Sequence, residues 1–221
     1  MPSSFIKQFL GLEFSWLKVP PPIAKDFYWG SKEWHEHRRA AHTSSFIAMG
    51  LLVKLIGKTE DPDRLLSDFI RPSTAQELKE ESYHVLSKTK QTCSRSHTDK
   101  WACAVLSTQK DGYKSIGVDI ELWKREIKPE IRKFYENTQD QTQSLQPIEI
   151  WCLKEAIFKS VSSYLNFHKL QHSTLVLTDI KLDASIEGVA SFSLNNYSGH
   201  CGILPAGHGP SELCTAWAIL N

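Results

Sequence analysis

Gly117-Val118-Asp119-Ile120-Glu121, answered further along by Trp151-Cys152-Leu153-Lys154-Glu155-Ala156-Ile157-Phe158-Lys159, is the part of this chain that decides how it is read. Ser115 to Leu122 is rich in β-branched residues, which predicts a strand. Successive strand side chains face opposite ways. Asp119 and Glu121 therefore share one side, and Val118 and Ile120 share the other, as core residues would. Two acids on one face of a strand make either a site or a solvated edge.

The second segment predicts a helix. Pro147 suits a first helical turn, and Ile148 to Tyr164 keeps a helical period. Ile150, Leu153, Ile157, Val161 and Tyr164 make one apolar stripe. Trp151, Glu155 and Lys159 recur at i+4 on a neighbouring face. For Glu155 and Lys159 the bland alternative is a surface ion pair, worth only about 0.3–0.5 kcal/mol. Lys154 falls inside the apolar stripe, where a charge must snorkel out or meet an anion. Spacing alone thus yields two strand acids and one helix acid.

A strand bearing G-x-D-x-E followed by W-x-x-K-E-A-x-x-K resembles the 4'-phosphopantetheinyl transferases of the Sfp and enterobactin-synthetase type. The resemblance implies an α+β fold of two similar halves in a pseudo-twofold arrangement, with the ligands in the cleft between them. It implies that Asp119, Glu121 and Glu155 bind Mg²⁺, with Mn²⁺ as a substitute, and that Glu155 and Lys159 are catalytic. Ser94-Arg95-Ser96-His97-Thr98, ahead of a strand, resembles the family's third motif, in which serine and histidine meet a coenzyme A phosphate. Ser96, His97, Lys154 and Lys159 are the coenzyme A contacts implied. Arg38 and Arg39 join them, because a helix in that region carries basic side chains to the 3'-phosphate in the family. The chain departs from the family at two places. Ala48-Met49-Gly50-Leu51 stands where an A-G-R-like signature is usual, and Lys88-Thr89-Lys90 where a G-K-P-like turn is common.

At 221 residues the chain allows one large domain or two small ones. The expected division is 1–114 and 115–221, a strand, long helix and further strands in each half. The formal net charge of +1 gives no reason to expect a nucleic-acid binder. The five cysteines are odd in number and form no C-x-x-C, which argues against a disulfide framework and a structural zinc site. Cys103, Cys152 and Cys214 sit in apolar runs and read as small core residues. Met1 to Pro20 lacks a clean signal peptide, and Phe46 to Val53 is too short to span a bilayer. A soluble, reducing, cytoplasmic setting and a monomer are expected.

Leu10 to Val19 reads as a strand ended by Pro20-Pro21-Pro22. Phe27, Tyr28 and Trp29 read as a loop packing aromatic side chains on the core. A helix follows over roughly 32–56, capped by Ser31, with a buried part from Phe46 to Leu55. Short helices are expected over 61–69 and from Ser73-Thr74-Ala75-Gln76, then β-like 80–86. Ser94 to Thr98 reads as a loop and Trp101 to Ser107 as a buried strand. A serine-hydrolase role for Ser96 fails, because no G-x-S-x-G elbow is present. Asp111-Gly112 marks a turn. Lys124 to Tyr135 reads as helical with solvating charges, and the polar 137–146 as a mobile loop, beside the family's carrier-protein docking surface. Strands are expected over 174–177, 189–194, 201–204 and 213–220, and Gly207-His208-Gly209 as a turn.

The implied function is transfer of the phosphopantetheine arm from coenzyme A to a serine of an apo acyl or peptidyl carrier protein, releasing adenosine 3',5'-bisphosphate. The pathway is that of a fatty acid, polyketide, nonribosomal peptide or siderophore, with secondary metabolite biosynthesis as the setting. The rivals are a non-catalytic descendant that binds coenzyme A or a carrier, and a metal-dependent pyrophosphate hydrolase.

Overall fold

The computed structural model describes residues 4–18, 43–50, 52, 91–107, 113–170, 175–184 and 188–221. Two compact units divide the chain, Met1–Lys110 and Asp111–Asn221. Each contains an antiparallel sheet, so the architecture is α+β.

In the first unit, β1 (Ser4–Phe9) and β2 (Leu12–Lys18) form a hairpin. Its turn is Leu10-Gly11, with φ of 49° and 74°. That left-handed pair suits a two-residue hairpin turn, so the strand expected from Leu10 begins at Leu12, and Ser4–Phe9 adds a partner strand before it. β3 (Cys93–His97) and β4 (Trp101–Ser107) complete the sheet in the order β1-β2-β4-β3. β4 is buried along its whole length because it lies between β2 and β3. Residues 43–50 form a buried helix, α1. The expected strand 80–86, the remainder of the helix over 32–56 apart from buried Leu52, the loop at Phe27, Tyr28 and Trp29, Arg38, Arg39, the Lys88-Thr89-Lys90 and Asp111-Gly112 turns and the short helices over 61–76 lie outside the described residues.

The stretch Ser94 to Thr98, expected as a loop, is mostly strand. Its polar composition conceals a ladder in which Ser94 pairs with Val105 and Ser96 with Cys103. Burial alternates, with Ser94 and Ser96 buried and Cys93, Arg95 and His97 partly exposed. Ladder partners far along the chain supply this strand, which no local signal announces.

The second unit carries the five-stranded sheet β5-β9-β8-β7-β6. Its strands are β5 (Ser115–Leu122), β6 (Lys181–Leu182), β7 (Val189–Leu194), β8 (Tyr197–Ile203) and β9 (Leu213–Leu220). One helical turn, α2 (Pro129–Arg132), and one long helix, α3 (Pro147–Phe167), stand between β5 and β6. Pro147 occupies the first turn of α3, and the Gln146 N–H donates to Glu149 Oε2 at 2.7 Å, which fixes the start. Ile150, Leu153, Ile157 and Val161 are buried in the unit's core against β8 and β9 residues such as Cys201 and Ala218. Each such aliphatic side chain contributes about 1.5–3 kcal/mol of burial.

Three expectations change here. The helix over 124–135 shrinks to α2, because residues 123–128 turn back through Arg125 N–H to the Leu122 carbonyl and Trp123 N–H to the Glu212 carbonyl. Residues 175–176 are irregular and Leu177–Asp179 is a 3₁₀ turn rather than a strand. The strand expected from Cys201 begins at Tyr197, because Asn195, with φ of 53°, turns the chain in two residues from β7 into β8. No helix among the described residues is long and apolar enough to cross a membrane.

Candidate functional site

The geometry begins at Gly117. A Cβ built there would lie 1.9 Å from the Ala156 carbonyl oxygen and 2.8 Å from the Ser160 nitrogen. Strand β5 and helix α3 therefore touch backbone to backbone at this point, which only glycine permits. Ala156, on the helix side of the contact, is fully buried. Gly117, Asp119 and Glu121 share one face of β5, so the contact sets where both acids stand relative to α3. Val118 and Ile120, on the other face, are buried as well.

Glu155 precedes Ala156 and Lys159 follows one turn later, so the close approach at Gly117 brings both toward the strand acids. Lys159 Nζ donates to Asp119 Oδ1 at 2.7 Å. The Arg125 guanidinium pairs with Glu121 Oε1 and lies 5.9 Å from the centroid of the Trp151 ring. Trp151 is held in turn by an edge contact with buried Tyr135, at 5.4 Å between centroids.

The charges of this cluster act on one another. Burial pushes the Glu121 carboxyl up to about 7; Arg125 and Lys159 pull it down, while Asp119 and Glu155 push it further up. Burial likewise raises Glu155, reinforced by Asp119 and opposed by Lys159 and Arg125. For Lys159, burial works to lower the pKa, but the charge and hydrogen bond of Asp119 and the charge of Glu155 outweigh it, so the ammonium is held above its usual range. The Cys152 thiol lies behind these groups, hydrogen-bonded to Cys214, and burial keeps it well above a free thiol. A thiol so protonated is a core residue and not a nucleophile.

Lys154 is placed differently from its neighbours. It is 0% exposed, and its ammonium pairs with Asp140 Oδ2 at 2.6 Å and donates to the Ile180 carbonyl at 2.9 Å. The charge inside the apolar stripe does meet an anion, but that anion is Asp140. The ammonium expected at coenzyme A is here enclosed in a buried pair with Asp140. Asp140 belongs to the segment expected as a mobile loop. That segment is pinned: Asp140 Oδ1 accepts from Leu182 N–H at 3.0 Å, Asp140 Oδ2 accepts from Asn137 N–H at 3.0 Å, and Asn137 Nδ2 donates to the Thr178 carbonyl at 2.7 Å. Burial lowers the Lys154 pKa, and the hydrogen bond and charge of Asp140 oppose that.

Ser96 and His97 belong to β3 of the first unit. As consecutive strand residues they face opposite sides, Ser96 buried and His97 partly exposed, so the pair is divided between two faces. On the His97 face of the strand, Arg95 Nη1 donates to Ser45 Oγ at 3.0 Å and the guanidinium lies 3.4 Å from the Phe46 ring centroid.

Sequence reasoning missed Arg125 and Asp140. By sequence Arg125 reads as one of the solvating charges of 124–135, and its position four residues after Glu121 is the available signal. Asp140 carried no local signal, since its partners lie on α3 and β6.

A divalent ion is implied by the resemblance. Among the described residues, no group of three or more His, Cys, Asp or Glu side chains stands in a geometry that could hold a metal ion. Asp119 and Glu121 are instead paired with Lys159 and Arg125. The donor chemistry nevertheless fits: three carboxylates without sulfur or imidazole suit Mg²⁺ or Mn²⁺. Two of them, Glu121 and Glu155, are raised by burial and by neighbouring acids, a load that further positive charge relieves. Comparison of the chain with protein-family models and with curated proteins finds no match.

Proposed function

We propose that this chain is a 4'-phosphopantetheinyl transferase, which moves the phosphopantetheine arm of coenzyme A to a serine hydroxyl of an apo acyl or peptidyl carrier protein. The observation that carries this reading is the Gly117 contact, which sets Asp119, Glu121, Glu155 and Lys159 into one mutually coupled cluster. The motif resemblance gives that cluster its chemistry. A pseudo-twofold arrangement of two similar halves is part of the proposal, and the antiparallel sheet in each unit is compatible with it. A cytoplasmic monomer is part of the proposal.

Asp119, Glu121 and Glu155 would hold Mg²⁺ in this reading, and the ion would supply positive charge to offset the negative charge building on the pyrophosphate. Lys159, kept protonated by Asp119, adds a fixed charge on the same side and stabilises the oxygen that leaves. Glu155 accepts the proton of the carrier serine; a carboxyl raised from its ordinary value is the better base near neutral pH. The serine oxygen forms a bond to the phosphorus of the arm, the pyrophosphate P–O bond breaks, and adenosine 3',5'-bisphosphate departs with the bonding pair. Ser96, His97, Arg38 and Arg39 remain proposed contacts for coenzyme A. The exposed Phe134 and Trp123, beside Lys124 and Lys133, support a carrier docking near the 137–146 segment.

The test is Glu155→Gln, with intact-mass readout of an apo carrier protein. The variant is expected to keep its far-ultraviolet circular dichroism and lose transfer; full transfer by a folded variant refutes the assignment. A second reading is a non-catalytic binder of coenzyme A or a carrier. The pairing of Asp119 and Glu121 with the protein's own cations favours it, and binding without transfer by the unaltered protein is its signature.

A further inference from the structure

Two cations serve the acid cluster, and they are not equivalent. Lys159 comes from the middle of α3, and its pairing with Asp119 lies against the backbone contact at Gly117. Arg125 comes from the turn after β5, and its side chain is 45% exposed while that of Glu121 is 14% exposed. The turn itself is fixed by the hydrogen bonds of Trp123 and Arg125 N–H groups, so the guanidinium moves by side-chain rotation alone. Trp151 gives it a second resting surface beside Glu121.

A guanidinium seated on a carboxylate oxygen takes up one of its lone pairs and offsets part of the negative charge that draws a metal ion. Glu121 Oε1 is so engaged, and the Arg125 charge reaches Glu155 as well. We infer that Arg125 is a displaceable counter-ion that competes with a divalent cation for Glu121 and thereby sets the affinity of the acid cluster for metal. On arrival of the ion the guanidinium leaves Glu121 and rests on the face of Trp151. Arg125 is thus a positioning residue that keeps Glu121 compensated. This inference rests on the divalent-ion reading of Asp119, Glu121 and Glu155.

The experiment is a Mn²⁺ titration followed by electron paramagnetic resonance, on the unaltered chain, Arg125→Gln, Arg125→Lys and Glu121→Gln. Arg125→Gln is expected to bind Mn²⁺ about two- to fivefold more tightly, the scale of a half-exposed ion pair. Arg125→Lys is expected to stay near the unaltered chain, and Glu121→Gln to bind more weakly. A gain of affinity is not what a damaged fold produces. If Arg125→Gln binds Mn²⁺ equally or more weakly while Glu121→Gln loses affinity, the counter-ion role is overturned and the metal site stands. If none of the four proteins binds Mn²⁺, the metal reading falls and this inference falls with it.

Discussion

Asp140→Asn is the perturbation that reaches deepest into the packing beneath the site. Asp140 is 5% exposed and Lys154 is 0% exposed, and their 2.6 Å pair joins the 137–146 segment to α3. Asparagine keeps an oxygen for the Leu182 N–H, but its amide NH₂ then faces two donors, the Lys154 ammonium and the Asn137 N–H. A buried cation left without its anion costs about 3–5 kcal/mol. For a chain of this size that lowers the melting temperature by about 6–20 °C. Thermal unfolding followed by circular dichroism at neutral pH reads it. The sign with pH is also set. Burial lowers the Lys154 pKa below the ordinary 10.5, so above the folded value the unfolded chain binds more protons and stability from this group grows as pH rises toward 10.5. Loss of Asp140 deepens that lowering, so the deficit should narrow with rising pH as Lys154 discharges. Lys154→Met combined with Asp140→Asn should recover more than half of the loss, since no buried charge remains. A drop below about 1 kcal/mol for Asp140→Asn alone would refute the reasoning, because the pair would then not be anchoring the segment.

Glu121, raised from 4.5 to about 7, binds its proton more tightly in the fold than in the unfolded chain, so its contribution is full below 4.5 and is lost as pH climbs through 7. The size is on the order of 3 kcal/mol, and Glu121→Gln should flatten the melting temperature over this window; an unchanged slope contradicts it. Gly117→Ala drives a methyl into the Ala156 carbonyl and should cost about 1–3 kcal/mol or more in urea unfolding while weakening Mn²⁺ binding. A variant as stable as its parent means that β5 and α3 do not meet at this glycine.

The local patterns that were legible are those in which a residue's own chemistry decides its conformation. The β-branched run at Ser115–Leu122 is β5, and the runs at 101–107, 189–194 and 213–220 are β4, β7 and β9. The stripe through Ile150 and Ile157 marked the buried side of α3, though the helix runs on to Phe167. What stayed hidden depends on distant partners. Cys93–His97 is a strand only because β4 lies beside it. The 137–146 segment looked mobile for want of apolar residues, yet polar side chains anchor it from α3, β6 and the 3₁₀ turn. In the site, period-two alternation put Asp119 and Glu121 on one face and i+4 spacing put Lys159 beside Glu155. The partner of Lys154 was beyond spacing arguments, since it comes from a polar loop. Gly117 was legible as part of a motif, and its physical purpose, the backbone contact with Ala156, needed the helix in place.

The measurement that bears most directly on the proposed transfer is the intact mass of an apo carrier protein after incubation with this chain, coenzyme A and Mg²⁺. The expected result is a carrier heavier by one phosphopantetheine arm, with an equal amount of adenosine 3',5'-bisphosphate released, and no change when a chelator is present. Carriers of unchanged mass, across acyl and peptidyl types and despite measurable coenzyme A binding, would contradict the transfer and leave a binding protein in its place.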